Sequence, residues 1–229
     1  MRAFGRSSPW PLVLALAAFL LLSGPAKAQS LAETQEAEPG WTERESGPGS
    51  VKFKISGPAS WEASVSSSSQ PPAVAFLAES SSPFLRRALG ATGQVTGPSK
   101  GPVGDLAKMP EKELEAFAAM AMEGITAGRE PASRKLLSFG PVKIDGQNAL
   151  ELLFETSFNT PRGKIFEIIE TFIILYNQKG PEPRSQAAIN LACSYAAMEG
   201  DQKRVESSFE GEGRELCRKF ADSLKILDK

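Results

Sequence analysis

Cys193 and Cys217 are the two cysteines of a 229-residue chain that contains no histidine. The missing imidazole removes Ser-His-Asp and Cys-His nucleophilic catalysis. It also removes His-ligated zinc, iron or copper, and the usual near-neutral proton switch. Two thiols are too few for an all-cysteine zinc site, and their spacing is not the C-x-x-C of a redox pair. Gly97-Pro98-Ser99-Lys100-Gly101 carries the letters of the G-x-S-x-G hydrolase elbow, but it lies in a Gly/Pro-rich stretch and has no His base. No phosphate-binding P-loop, dinucleotide fingerprint or calcium-loop pattern occurs. Carboxylates are numerous, but no pair stands out in a pocket-like context, so hydrolysis by paired carboxylates is unsupported. Glu206, Glu210, Glu212 and Glu215 cluster near the last helix, where a solvated face and favourable N-terminal charge explain them better than a cation site. The 26 basic and 27 acidic residues nearly cancel, and the basic ones are not interleaved with aromatics, which argues against a nucleic-acid platform. The sequence therefore assigns no catalytic residue, no cofactor-binding residue and no metal ligand.

The start of the chain speaks about location. Residues 1–28 have the build of a cleaved signal peptide, with Arg2 and Arg6 before the uncharged run Leu12 to Leu22. That run is too short for a bilayer, which needs roughly 20 apolar residues. Ala26-Lys27-Ala28 places small residues where the peptidase needs them. Cleavage removes three basic residues and no acid, leaving a mildly acidic chain, periplasmic or secreted, with no stable membrane span. In an oxidising compartment a disulfide is the default state of paired cysteines. Cys193 lies on the apolar parity of a strand and Cys217 on the apolar stripe of the following helix, so a Cys193–Cys217 bridge is expected. Two neighbouring buried thiols are the alternative.

The elements that would hold these residues follow from periodicity. Residues 29–50 form a flexible acidic tether, rich in Glu with Pro and Gly breakers, in which Trp41 packs loosely on the domain. A single domain, 51–229, follows. Val51, Phe53 and Ile55 alternate with Lys52, Lys54 and Ser56, which predicts a half-buried strand. Ser66 to Pro72 is a loop and Ala73 to Leu77 a short strand. Residues 90–110, rich in Gly and Pro, are expected to carry little structure. Pro110 opens a helix to Ala127 whose inner face is Leu114, Phe117, Ala121 and Ile125, with Met120 and Met122 as ordinary packing and Gly128 as the stop. From Lys135 to Tyr176, strands turn at Asp145-Gly146 and again near Pro161 to Gly163. The second of the two long strands is apolar at both parities, with Phe166, Ile168, Phe172 and Ile174 against Ile165, Ile169, Ile173 and Leu175. Such a strand belongs in a sheet covered on both sides. Ala188 to Ala197 forms a further strand. Glu210 to Leu227 forms a helix with Cys217, Phe220, Leu224 and Leu227 on one stripe.

This order, with Phe53, Ile55, Pro58 and Trp61 as F-x-I-x-x-P-x-x-W, Ile144-Asp145-Gly146 at a turn, Gly146 to Ala149 as G-x-x-A, and Phe220, Leu224 and Ile226 in the final helix, resembles the PsbP/Mog-like superfamily. That superfamily includes exported bacterial proteins of the DcrB type, and the resemblance spans about residues 51–228. It implies an α+β fold, an antiparallel sheet sandwiched between helices. It also implies a binding or assembly role rather than an enzyme; the metal-binding His of some PsbP proteins has no counterpart. The expected function is that of a non-enzymatic exported protein that binds an envelope protein partner, through an exposed sheet face or the 90–110 loop, without a cofactor. A carrier of a small apolar ligand is the first alternative and a carboxylate-based hydrolase the second.

Overall fold

The structure, a computed structural model, describes residues 40–47, 49–66, 71–81, 84–98, 105–127, 131–161, 163–179 and 185–229. The expected signal peptide, residues 29–39 of the expected tether and the Gly128 stop lie outside the described residues. Among the described residues, ten strands are interrupted by helices. They are β1 (Trp41–Glu45), β2 (Phe53–Pro58), β3 (Glu62–Val65), β4 (Ala73–Ser81) and β5 (Phe84–Pro98), then helix α1 (Glu111–Ile125). Next come β6 (Pro131–Ile144), β7 (Gln147–Thr160), β8 (Gly163–Asn177) and β9 (Ser185–Met198). Helix α2 (Gln202–Ser208), a π-helical turn (Phe209–Gly213), helix α3 (Arg214–Asp222) and β10 (Lys225–Ile226) complete the order.

Seven strands form one antiparallel sheet in the order β3-β4-β5-β9-β8-β7-β6. A three-stranded sheet, β1-β2-β10, sits beside it. Asp145 and Gly146 both take left-handed backbone angles (φ 48° and 76°), the primed turn that matches strand twist and joins β6 to β7. One face of the large sheet packs Phe76, Leu89, Phe172, Leu191 and Tyr195 against Phe53 and Ile55 of β2 and Phe209 and Phe220 of the C-terminal helices. The other face packs Leu150, Leu152, Phe154, Ile169 and Ile173 against Leu114, Ala118, Ala121 and Ile125 of α1. The doubly apolar pattern of β8 is thereby explained: each parity feeds a different layer. This is the expected α+β arrangement, an antiparallel sheet with helices against both faces.

Five expectations change. Residues 41–45 are a strand rather than tether, because Trp41 to Glu45 ladder onto Pro58 to Lys54. Trp41 is partly buried against the core, with the Lys219 ammonium 4.7 Å from its ring centre. Residues 90–98 are not weakly structured but belong to β5, held between β4 and β9. Gly93 is used there for close approach: a Cβ would meet Val51 Cγ1 at 2.5 Å. The sheet faces are not free binding surfaces along β8 and β9, which are buried on both sides. Finally, the last helix begins at Gln202 and ends at Asp222, so Leu227 leaves the stripe and is exposed. The Ser223 hydroxyl donates to Phe220 O at 2.7 Å and accepts the Ser56 N–H at 3.0 Å, which ends the helix and steers the chain into β10. In α1, Met122 packs on the core as expected while Met120 faces solvent. Among the described residues no helix is long and apolar enough to cross a membrane.

Candidate functional site

The Asp145-Gly146 turn, the end of β8 and the C-terminus converge on an open cleft of about 420 Å³. Its walls carry Lys143, Gln147, Asn148, Tyr176, Lys179 and Lys229. The carboxylates beside it are engaged. Asp145 pairs with Lys229 Nζ at 2.6 Å and accepts the Ile226 N–H at 2.8 Å. Asp228 accepts the Tyr176 hydroxyl at 2.8 Å, Gln178 Nε2 at 2.6 Å and the Lys52 N–H at 3.3 Å. Burial, reinforced by Asp228, pushes the Tyr176 hydroxyl well above the usual tyrosine range, so it stays a donor. Lys143 and Lys179 are exposed and meet no carboxylate among the described residues. The cleft thus offers two uncompensated ammonium groups and several side-chain hydrogen-bonding groups, an arrangement that attracts anions.

A second polar feature lies under α3. Glu170, 4% exposed, sits in the middle of β8 on the face that carries Ile168 and Phe172. The Glu151 carboxyl of β7 lies within hydrogen-bonding reach of it. Burial first, and Glu151 second, push the Glu170 carboxyl up to about 7, while Arg214 and Arg218 of α3 pull it back. Arg218 stands 3.6 Å from Glu151 and 5.8 Å from the centre of the Phe172 ring. Glu170 Oε2 accepts no hydrogen bond among the described residues. Sequence reasoning missed this pair. Its signal was a glutamate at an apolar parity in each strand: Glu151 between Ala149 and Leu153, and Glu170 between Ile168 and Phe172.

Cys193 and Cys217 form a disulfide with Cα atoms 5.6 Å apart, tying β9 to α3. The acidic cluster does not assemble: Glu212 pairs with Arg87 at 2.9 Å, Glu206, Glu210 and Glu215 face solvent, and no group of three or more potential ligands is gathered among the described residues. Of the G-x-S-x-G letters, Gly97 and Pro98 end β5, and Ser99 to Gly101 lie outside the described residues.

No family model matches the chain, and no curated protein matches it. Eleven solved chains are similar to it, among them two at low identity. One is LpqN of Mycobacterium tuberculosis, described as involved in cell envelope biogenesis, at 11% identity and a TM-score of 0.38, covering 81% of this chain and 91% of that one. The other is the cyanobacterial PsbP (CyanoP) of Synechocystis sp. PCC 6803, at 10% identity and a TM-score of 0.42, covering 87% of this chain and 98% of that one.

Proposed function

We propose that the chain is a non-enzymatic binding module of the cell envelope that holds an acidic segment of a partner protein in the lysine cleft. The observation that carries this reading is the pair Lys143 and Lys179, placed on one open cleft with no carboxylate among the described residues answering them. The export signal expected at residues 1–28 supports the location, and a cleft lined by cations and amides without a nucleophile–base pair supports binding over turnover. The alternatives draw less support. An apolar-ligand carrier needs a cavity lined by the Phe and Ile side chains of β7 and β8, and these are packed into two layers. A glycoside hydrolase needs carboxyl groups about 5–9.5 Å apart. Glu151 and Glu170 stand within hydrogen-bonding reach of each other instead.

The test is a photo-cross-linking side chain placed in turn at Lys143, at Lys179 and, as a control, at Lys112 on the exposed face of α1. In envelope extract, the two cleft positions should trap the same partner and Lys112 should not. K143E/K179E should weaken that complex about tenfold or more, and added salt should weaken the wild-type complex, because rim charges act through screened attraction. Equal trapping from Lys112, or an affinity unchanged by the double variant, overturns the reading.

A further inference from the structure

We propose that Glu151 and Glu170 form a proton-operated latch that sets how closely α3 and the C-terminal strand close on the sheet, and through them the shape of the lysine cleft. The clause about the cleft rests on the binding reading above; the latch itself does not.

Glu170 pairs across the sheet with Leu153 of β7 and Cys193 of β9. Cys193 is bonded to Cys217 of α3, and Arg218, the next residue, reaches Glu151 at 3.6 Å. The helix is therefore fixed to the sheet on one side of Glu170 by a covalent bond and on the other by an ion pair. The charged groups that face Glu170 are Glu151 from β7 and Arg214 and Arg218 from α3, while β9 faces it with the uncharged disulfide. Glu155, farther along β7, is drawn aside by Lys135 at 3.9 Å. While Glu170 holds its proton, it stands neutral beside Glu151 and opposite two arginines. When that proton leaves to solvent, Glu170 is a carboxylate within hydrogen-bonding reach of Glu151, with an oxygen that accepts no hydrogen bond among the described residues. Repulsion and unmet solvation then favour a position of α3 that lets water reach Glu170. The disulfide limits the movement to a shift.

The shift has a short path to the cleft. Two residues, Ser223 and Leu224, separate α3 from β10. The Ile226 N–H donates to Asp145 at 2.8 Å, the Leu227 N–H to Lys52 O at 3.0 Å, and Lys229 pairs with Asp145. Each of these contacts belongs to a cleft wall or its support. Histidine, the side chain that ordinarily titrates near neutrality, is absent from the chain.

The experiment uses the full exported chain without any partner. Thermal unfolding is followed between pH 5 and 8, together with the amide chemical shifts of Ile226 and Leu227. Folded Glu170 keeps a proton that the unfolded chain gives up in the ordinary carboxylate range, so stability is highest at the acid end and is lost as pH rises toward about 7. The Tm of the wild type should fall over that range, and the two amides should shift with one midpoint near neutrality. E170Q should flatten both profiles. E151Q should move the midpoint to lower pH, and it serves alone if E170Q does not fold. Amides that do not titrate near neutrality, or an E170Q profile like the wild type, overturn the latch. A Tm that titrates while Ile226 and Leu227 stay still also overturns it, because the pair is then a local stability element. Failure of the partner reading leaves all these results unchanged.

Discussion

Gly57 shows how a single atom is excluded by the fold. It pairs with Thr42 of β1 and lies against the fully buried Phe76 ring, where a Cβ would stand 2.6 Å from two ring carbons. The ring is locked edge-on to Phe220 at 6.3 Å and cannot retreat without disturbing α3. Gly57→Ala should therefore cost about 1–3 kcal/mol, the usual penalty of overpacking. Urea unfolding reads the loss, and a change under about 0.5 kcal/mol would mean that the core yields there. At this scale the sequence was legible where a residue type has one physical role. Two cysteines on apolar parities pointed to one bond, and an Asp-Gly pair pointed to one turn. It was not legible for Glu170, because an acid inside an apolar strand looks like an exposed position until the opposite layer is known. Nor was it for Lys143 and Lys179, which lie 36 positions apart and meet only at the ends of β6 and β8.

At the scale of elements, the long strands β7, β8 and β9 and the helix α1 declared themselves because their own side chains fill a layer. The elements missed were those whose stability comes from a neighbour. β1 and β3 are short and polar, β10 has two residues, and β5 carries glycines that suit its crowded position between β4 and β9 but resemble breakers in sequence. The C-terminal helix was mislocated at both ends, since Gly211 and Gly213 interrupt its periodicity at the π-helical turn. That turn leaves α3 as nine residues, too short to stand without tertiary support. The disulfide supplies part of it. Cys217→Ser paired with Cys193→Ser should lower stability by about 3 kcal/mol, from the entropy of closing a loop of 24 positions. Guanidinium unfolding measures the cost, and peptide mapping without reductant confirms the bond in the parent. A double variant as stable as the parent would mean that packing of Phe220 and Ala221 alone holds the helix.

At the scale of the whole molecule, the chain is closed by pairings between distant segments. β5 joins β9 with Leu85 opposite Ala197, and β2 joins β10 with Phe53 opposite Ile226. Non-local ladders of this kind close late in folding, because loop entropy must be overcome before they contribute. β10 is the last and smallest of them, so its contacts should be absent from the folding transition state. Deleting Lys225 to Lys229 removes the buried Ile226 side chain, two backbone partners of β2 and the acceptor that Asp228 provides to Tyr176 and Gln178. Burial of one Ile contributes about 1.5–3 kcal/mol and each net hydrogen bond about 0.5–1.5 kcal/mol, so a total loss of about 3.5–9 kcal/mol is expected. If β10 docks after the barrier, nearly all of that loss appears as faster unfolding, and the refolding rate hardly changes. Stopped-flow unfolding and refolding of the shortened chain separates the two limbs. Slower refolding with unfolding unchanged would instead place the β2–β10 contact in the nucleus, and the C-terminal wall of the cleft would then be among the first parts of the molecule to form rather than the last.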